Sequence, residues 1–306
     1  MNFSIFGIEV NLKKKRSSKY LNLEGINLIN DDSLAYVKRL SSEELARRNS
    51  LVSFPNLNDH EIIKDKLDDS GIVIVENFLS EKQVNIISDT ITSLLDSVKE
   101  FIESGSKLLE NDNVLFQFSN EKLKGYSQLS SYGKTVVSVR QGQDEGMIDV
   151  FNVDYAFSNL KKELRSHYEN SNILSLISSG AESLSFKNLN FYVNNEVTST
   201  RGFHADSFNK QLKAFIYLTD CLSLDDGPYT YVEGSHKDSP YRSANRAISE
   251  SLPNKTECPL IDHQKIIPVL GKAGSLVISD QSGFHRGFPQ SEGHNRVVSV
   301  MNVTSQ

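Results

Sequence analysis

The second half of the chain is a succession of short runs rich in β-branched and aromatic residues. Turn signals built from Asp, Gly, Pro and Ser separate the runs, at 225–228, 233–235 and 271–274. Most runs follow one another without an intervening helix, and this pattern predicts an antiparallel sandwich or barrel. The runs cover residues 184–193, 203–207, 212–219, 229–232, 275–279 and 296–303.

Helical patterns precede this β-rich part. Ser80 and Gln83 form a capping box, after which apolar residues recur at three- and four-residue steps as far as Ser104 and Gly105. This spacing predicts a long amphipathic helix. Shorter helices are expected at 59–67 and 158–169, strands at 72–75 and 135–140, and irregular structure in the rest of 106–150.

We therefore expect one mainly β domain with flanking helices over residues 71–306. A helical and polar extension over residues 1–70 is expected to pack on its core. The length of 306 residues permits one large domain or two smaller ones, but no repeat or low-complexity segment divides the chain.

Composition excludes several classes of protein. Apolar residues make up 38% and the net charge is -6, which argues against a nucleic-acid-binding surface spread over the whole molecule. No apolar run is long enough to span a bilayer, and the apolar segment 3–10 precedes its basic cluster, unlike a secretory signal. Cys221 and Cys258 show no zinc-like spacing. We expect buried thiols in a reducing, cytoplasmic environment.

Three His-x-acid tripeptides are candidates for a metal site, because alternate residues of a strand point to one face and can reach one ion. His167 lies in a helical pattern, where residues two apart diverge. His236 lies at a turn between Gly234 and Pro240. Only the pair His204 and Asp206 leads into a predicted strand, so it is the favoured pair.

The surrounding residues resemble the phytanoyl-CoA dioxygenase family of iron(II)- and 2-oxoglutarate-dependent oxygenases over about residues 70–305. The resemblance implies a double-stranded β-helix (jelly-roll or cupin-like) core, and succinate and carbon dioxide as products formed from 2-oxoglutarate and O2. It rests on three ordered blocks: Phe203-His204-Ala205-Asp206; 212–220 (LKAFIYLTD) with 226–228 and 234–237; and 274–280 (GSLVISD) with His285-Arg286-Gly287 and Arg296.

Carried over by residue, the resemblance implies that His204, Asp206 and His285 bind iron(II). Arg296 matches the arginine that pairs with the far carboxylate of 2-oxoglutarate, a role suited to a planar guanidinium. Ser299 would add a hydroxyl donor to the same cosubstrate. Related halogenating enzymes lack the carboxylate ligand, so Asp206 favours hydroxylation or another outcome of hydrogen abstraction.

The substrate is less well defined by the sequence. Arg140, Asp144, Asp149 and Asn152, with Arg201 near the metal motif, either line a pocket for a polar small molecule or are solvated loop residues. The serine- and charge-rich segment 236–263 is a candidate lid.

Two other hypotheses remain open. One is a cupin-like binding protein that retains the pocket without catalysis, and the other is a 2-oxoglutarate-independent metalloenzyme on the same fold. No nucleophile triad or phosphate loop competes, since the segment 141–146 lacks the lysine and spacing of such a loop. The oligomeric state is not predicted.

Overall fold

A computed structural model describes residues 2–5, 8–11, 32–142, 144–170, 172–177, 184–253 and 255–305. The strands are β1 (Asn2–Ile5), β2 (Ile8–Asn11), β3 (Ser53–Phe54), β4 (Ile72–Val75), β5 (Leu108–Glu110), β6 (Val114–Phe118), β7 (Thr135–Val139), β8 (Met147–Phe151), β9 (Leu184–Asn195), β10 (Leu212–Tyr217), β11 (Tyr229–Val232), β12 (Ile266–Pro268), β13 (Leu276–Asp280), β14 (His285–Gly287) and β15 (Asn295–Ser305). The α-helices are α1 (Asp32–Lys38), α2 (Ser42–Ser50), α3 (His60–Ser70), α4 (Glu81–Glu103), α5 (Gly125–Ser131), α6 (Val153–Ala156), α7 (Ser166–Asn170), α8 (Ile173–Ile177) and α9 (Pro240–Ser249).

Two sheets of the described residues form the core. The large sheet has ten strands in the order β3-β4-β13-β10-β15-β9-β8-β7-β6-β5, and the small sheet has the order β12-β11-β14. One apolar cluster contains side chains from both sheets, including Phe215 and Tyr217 of β10 and Tyr231 of β11, so the sheets pack face to face. The mainly β jelly-roll fold with flanking helices is confirmed.

The central strands of the large sheet are buried on both faces. In β10, Phe215 and Tyr217 point toward the small sheet, whereas Ala214 and Ile216 point toward the helices. This alternation explains why such strands read in sequence as nearly continuous apolar runs. It also decides which residues of each strand can reach the space between the sheets.

Helix α4 covers the outer face of the large sheet, as the amphipathic pattern predicts. The backbone N–H of Ser80 donates to Gln83 Oε1 at 2.7 Å, and the N–H of Gln83 donates to Ser80 Oγ at 3.4 Å. The capping box is therefore formed, and Ser104 is the C-cap residue. Ile87 and Leu94 lie in the core between the helix and the sheet.

Two predictions of local structure are wrong. Residues 106–150 are not mostly irregular, since they contain β5, β6, α5 and β8 in addition to β7. Residues 203–207 do not form a strand, because only His204 makes isolated bridges, to His285 and Glu257. The segment carries too few consecutive ladder hydrogen bonds to count as a strand, yet it still pairs with β14.

The predicted N-terminal extension contributes directly to the core. Strand β3 pairs in parallel with β4 at the edge of the large sheet, and Ile63 and Leu67 of α3 are buried. The strands β1 and β2 pair antiparallel, while residues 12–31 of the extension lie outside the described residues. The boundary at residue 70 stays a prediction.

Cys221 and Cys258 are buried free thiols, as expected. Among the helices of the described residues, none offers a stretch sufficiently long and apolar to cross a lipid bilayer.

Replacing Gly274 by alanine tests the packing of α4 against the sheet. Gly274 has φ +92°, and an added Cβ would lie 2.4 Å from the backbone oxygen of Leu79, just before α4. We expect Gly274→Ala to lower the free energy of unfolding in urea by about 2–4 kcal/mol, from positive-φ strain plus a steric collision.

Gly293→Ala is the matched control, because Gly293 has φ +78° with nothing within 4 Å of an added Cβ. It should lose only about 1 kcal/mol. Equal losses in the two variants would show that the collision at Leu79 is relieved at no cost.

Candidate metal centre

Backbone pairing brings the two predicted histidine ligands together. The N–H of His204 donates to the carbonyl of His285 at 3.0 Å, and the N–H of His285 donates back to the carbonyl of His204 at 2.9 Å. The two residues are therefore directly opposite each other in an antiparallel bridge, with ring centroids 4.5 Å apart. Asp206 is fixed on the same segment, since its N–H donates to the carbonyl of Gln281 at 2.9 Å.

Hydrogen bonds to the backbone set the tautomer of both rings. His204 Nδ1 lies 3.0 Å from the carbonyl oxygen of Gly202, and His285 Nδ1 lies 2.9 Å from that of Gly283. A carbonyl only accepts, so each Nδ1 carries the proton and each Nε2 presents a lone pair. Both Nε2 atoms face Asp206 Oδ1, at distances of 3.8 Å and 3.6 Å.

The three side chains together form a metal-ligand set. Their ligand atoms all lie within 4.8 Å of one another. Among the described residues, this is the group of His, Cys, Asp or Glu side chains that lie close enough together to hold a metal ion. Two neutral nitrogens and one carboxylate oxygen on one side suit non-haem iron(II), with positions left for other ligands. His204 and His285 are each 4% exposed, so bulk water has little access to the rings.

Lys213 of β10 forms an ion pair with one of the two carboxylate oxygens of Asp206. Its Nζ lies 2.5 Å from Asp206 Oδ2, leaving Oδ1 to face the histidines. Burial alone would raise the pKa of Asp206, but the charge of Lys213 outweighs it and holds that pKa well below its usual range. The carboxylate is therefore charged and oriented before a metal arrives.

Burial and the neighbouring His285 ring hold the pKa of His204 well below its usual range. The imidazole is therefore neutral near pH 7, which is the form that binds metals.

Lys213 was not predicted from the sequence. The available signal was the two-residue alternation of β10, which places Lys213 on the inner face with Phe215 and Tyr217. A single lysine on an otherwise apolar strand face that points between two sheets needs a charged partner.

A cavity of about 500 Å³ opens around the metal ligands, and Arg296 lies in its wall. Arg296 is 8% exposed. Its Nη1 donates to the carbonyl of Gly227, but its buried Nε has no hydrogen-bond partner in the described part of the chain. No salt bridge joins Arg296 to a carboxylate of those residues.

A smaller space of about 90 Å³ adjoins this cavity, and the two share the lining residues Arg296, Lys213, Tyr229 and Gln281. A buried guanidinium with an unused donor, facing such a space, fits the carboxylate of a small dicarboxylic acid. The residues present therefore fit 2-oxoglutarate as well as the metal.

The predicted substrate residues form one connected chain that enters the cavity. Arg140 pairs with both oxygens of Asp149, at 2.7 Å and 3.0 Å, and with Asp144 at 2.9 Å. Asp144 in turn accepts the backbone N–H of Arg201 at 3.1 Å. Arg140, Asp144 and Arg201 line the cavity, whereas Asp149 lies behind Arg140 in an adjoining groove of about 340 Å³.

Two residues named from the sequence are not part of this site. The Ser299 hydroxyl lies 2.7 Å from the Tyr168 hydroxyl, on the helix side of the sheet, because Arg296 and Ser299 are an odd number of residues apart on β15. Asn152 donates to the carbonyls of Tyr132 and Lys134 and so holds a loop. Neither residue is proposed to bind the cosubstrate or the substrate.

The competing histidines lie elsewhere, as expected. His167 contacts Gln83 at 2.9 Å, and His236 contacts the carbonyl of Asp68 at 3.1 Å.

The candidate lid is largely built into the fold. It contains α9, and its return segment pairs with the metal segment, since the N–H of Ala205 donates to the carbonyl of Thr256 at 2.9 Å. Arg242 of α9 donates to the carbonyls of Ser282 and Phe208, at 2.5 Å and 2.8 Å. The insertion therefore supports the loops that carry the ligands.

Residues 67–298 match the model of the phytanoyl-CoA dioxygenase (PhyH) family, which is more than half of the chain. No curated protein is significantly similar in sequence. Among solved structures, the epimerase SnoN in complex with Fe3+, alpha ketoglutarate and nogalamycin RO has a TM-score of 0.51 and 15% identity, over 80% of this chain and 83% of that chain. EvdO2 from Micromonospora carbonacea var. aurantiaca has a TM-score of 0.52 and 11% identity, over 83% and 94%. These two similarities support the fold.

Removing one histidine tests the metal centre. We expect His204→Ala to weaken iron(II) binding by at least about a hundredfold, because losing even an outer partner of a ligand costs about 10–100-fold. Anaerobic calorimetric titration with iron(II) measures the affinity. His167→Ala, from the rejected His-x-acid pair, is the control and should bind like the unaltered protein; weakening of both variants by the same factor would point to general unfolding.

Proposed function

Because the chain belongs to the phytanoyl-CoA dioxygenase family, we propose that it is an iron(II)- and 2-oxoglutarate-dependent oxygenase. It oxidises a small polar metabolite by hydrogen abstraction, with hydroxylation as the outcome, and releases succinate and carbon dioxide. The observation that carries this proposal is the convergence of His204, Asp206 and His285 beside a cavity whose wall holds Arg296, with a buried Nε that has no hydrogen-bond partner in the described residues.

Each residue of the proposed site has a separate role. His204, Asp206 and His285 hold the metal, and Arg296 binds the far carboxylate of 2-oxoglutarate. Lys213 keeps the Asp206 carboxylate charged and oriented. When bound, iron(II) and 2-oxoglutarate together activate O2 and supply the oxidant that removes a hydrogen atom from the substrate.

The inter-sheet space supports a dry cosubstrate site. Tyr229 is partly buried, its hydroxyl lies 3.0 Å from Ser279 Oγ, and Gln281 donates to it at 3.2 Å. These polar groups are already paired with each other, so the unmatched charge in this space is that of Arg296. Exclusion of water strengthens the interaction of that charge with a carboxylate.

Arg140, Asp144 and Arg201 bind the substrate at the open side of the cavity, with Asp149 supporting Arg140. This arrangement supports a polar small molecule as the substrate. The enzyme is proposed to act in the cytoplasm.

Stereochemical inversion is the second candidate outcome, since a similar structure is that of an epimerase. Both outcomes begin with hydrogen abstraction, so the metal centre alone does not distinguish them. Mass spectrometry of the product does: hydroxylation adds one oxygen atom, whereas inversion leaves the mass unchanged, still forms succinate, and takes the two remaining electrons for O2 reduction from an added reductant such as ascorbate. A protein that binds the ligand without forming succinate would be a binding protein.

Anaerobic addition of iron(II) and then 2-oxoglutarate tests the proposal. We expect a weak visible charge-transfer band in the unaltered protein, and its absence would refute the proposal. Arg296→Gln should raise the 2-oxoglutarate concentration needed for half of the band roughly ten- to hundredfold, since charged hydrogen bonds contribute about 1.5–3 kcal/mol. Iron(II) affinity should be unchanged, and Arg246→Gln on the exposed face of α9 is the control.

A further inference from the structure

We propose that the substrate of this site is an organic anion, with a carboxylate, phosphate or sulfate group that is bound by the guanidinium of Arg201. This inference rests on the proposed function, because it names the substrate class of the same cavity. It follows from the charges that line the cavity and from the hydrogen bonds that each charge already makes.

The cavity carries an excess of positive charge. Five cationic and two acidic side chains of the described residues line it besides the two histidines, and Asp149 behind Arg140 adds a third carboxylate. Arg286 apart, the four other cations face three carboxylates. The charges of iron(II) and of the 2-oxoglutarate dianion cancel one another, so one positive charge remains unbalanced among these residues. The Arg201 side chain is 39% exposed, so an anion can reach it from the open side of the cavity, and the molecule expected there is the substrate.

Most of these cations already have defined partners. Arg140 is held by Asp144 and Asp149, and Lys213 by Asp206. Arg286 donates to the Thr200 hydroxyl at 3.0 Å and lies over the Phe203 ring. Arg296 faces the inter-sheet space assigned to 2-oxoglutarate.

Arg201 differs from the other four. Its closest charged partner in the described residues is Asp206 Oδ1, and the distance of 3.8 Å from Nη2 is too long for a hydrogen bond. That same oxygen faces both histidine Nε2 atoms, so it is the oxygen available to the metal. Metal binding would therefore take from Arg201 the negative charge that it now faces.

The backbone of Arg201 is nevertheless held firmly. Its N–H donates to Asp144 Oδ1, while Asp144 Oδ2 accepts from Arg140. The ion pair between Arg140 and Asp144 thus helps to hold the backbone of Arg201, which lies three residues before His204. An anion on the Arg201 guanidinium would lie close to the metal ligands, so the oxidised carbon is expected within a few bonds of the acidic group.

Inorganic sulfate is a probe for this site that requires no knowledge of the substrate. We expect it to bind the anaerobic iron(II)–2-oxoglutarate complex in calorimetric titrations at constant ionic strength. Arg201→Gln should weaken that binding roughly ten- to hundredfold, as expected for loss of a charged hydrogen-bond donor, and Arg201→Lys should restore part of it. Arg47→Gln, at an exposed arginine of α2 paired with Glu44, should bind sulfate normally.

The visible 2-oxoglutarate band is measured on the same samples and separates the two hypotheses. A missing band in the unaltered protein refutes the oxygenase. An intact band with no sulfate binding, or with equal binding by Arg201→Gln, refutes only the anion site. If Arg201→Gln weakens 2-oxoglutarate binding instead, Arg201 belongs to the cosubstrate and the proposal is overturned.

A screen for succinate release then identifies the acidic group. Carboxylates, phosphate monoesters and sulfate esters are each compared with the matching neutral carboxamide or alcohol. We expect stimulation by one class of acid and not by its neutral partner. Stimulation by neutral or cationic compounds alone would contradict the proposal.

Discussion

The pairing of His204 with His285 is the interaction on which the site depends. Two reciprocal backbone hydrogen bonds join these residues across separate segments, and backbone carbonyls then fix the tautomer of each ring. The ligand nitrogens are thereby aimed at Asp206 Oδ1 by main-chain geometry. Such a site needs little reorganisation when a metal binds, and ordering the side chains costs little conformational entropy at that moment.

The fold forms two spaces near this pair, and different charged residues face each of them. Between the sheets, Arg296 faces a narrow buried space, and outside it Arg140, Asp144 and Arg201 face the wider cavity. Lys213 lies at the junction, since it lines both spaces and holds the Asp206 oxygen that points away from the histidines. A dicarboxylic cosubstrate and a separate substrate can therefore approach the metal from different sides.

The sequence predicted the ligands better than the strand that carries them. His204 and Asp206 could be recognised because the tripeptide leads into a predicted strand, and His285 because Arg296 follows it by eleven residues. The segment 203–207 is held by isolated bridges to distant residues, Glu257 and His285, and long-range pairing of this kind leaves no local pattern. Strands β5, β6 and β8 were missed for a related reason, since all three are short and carry no long alternating pattern.

Two errors in the site have a simple physical origin. Ser299 was placed with Arg296 although an odd spacing on β15 puts the two side chains on opposite faces of the sheet, and Ser299 contacts Tyr168 instead. Lys213 was overlooked because its role depends on a carboxylate that the fold brings to it. Strand parity could have corrected the first error. Parity also places Lys213 on the inner face, but only the three-dimensional arrangement identifies Asp206 as its partner.

The central claim is that Asp206 binds iron through Oδ1 while Lys213 retains Oδ2, with 2-oxoglutarate reaching Arg296. A crystal structure obtained anaerobically with iron(II) and 2-oxoglutarate tests it most directly. The account predicts an anomalous iron peak bounded by His204 Nε2, His285 Nε2 and Asp206 Oδ1, and cosubstrate density in contact with the Arg296 guanidinium. Iron bound elsewhere, or 2-oxoglutarate oriented away from Arg296, would contradict it.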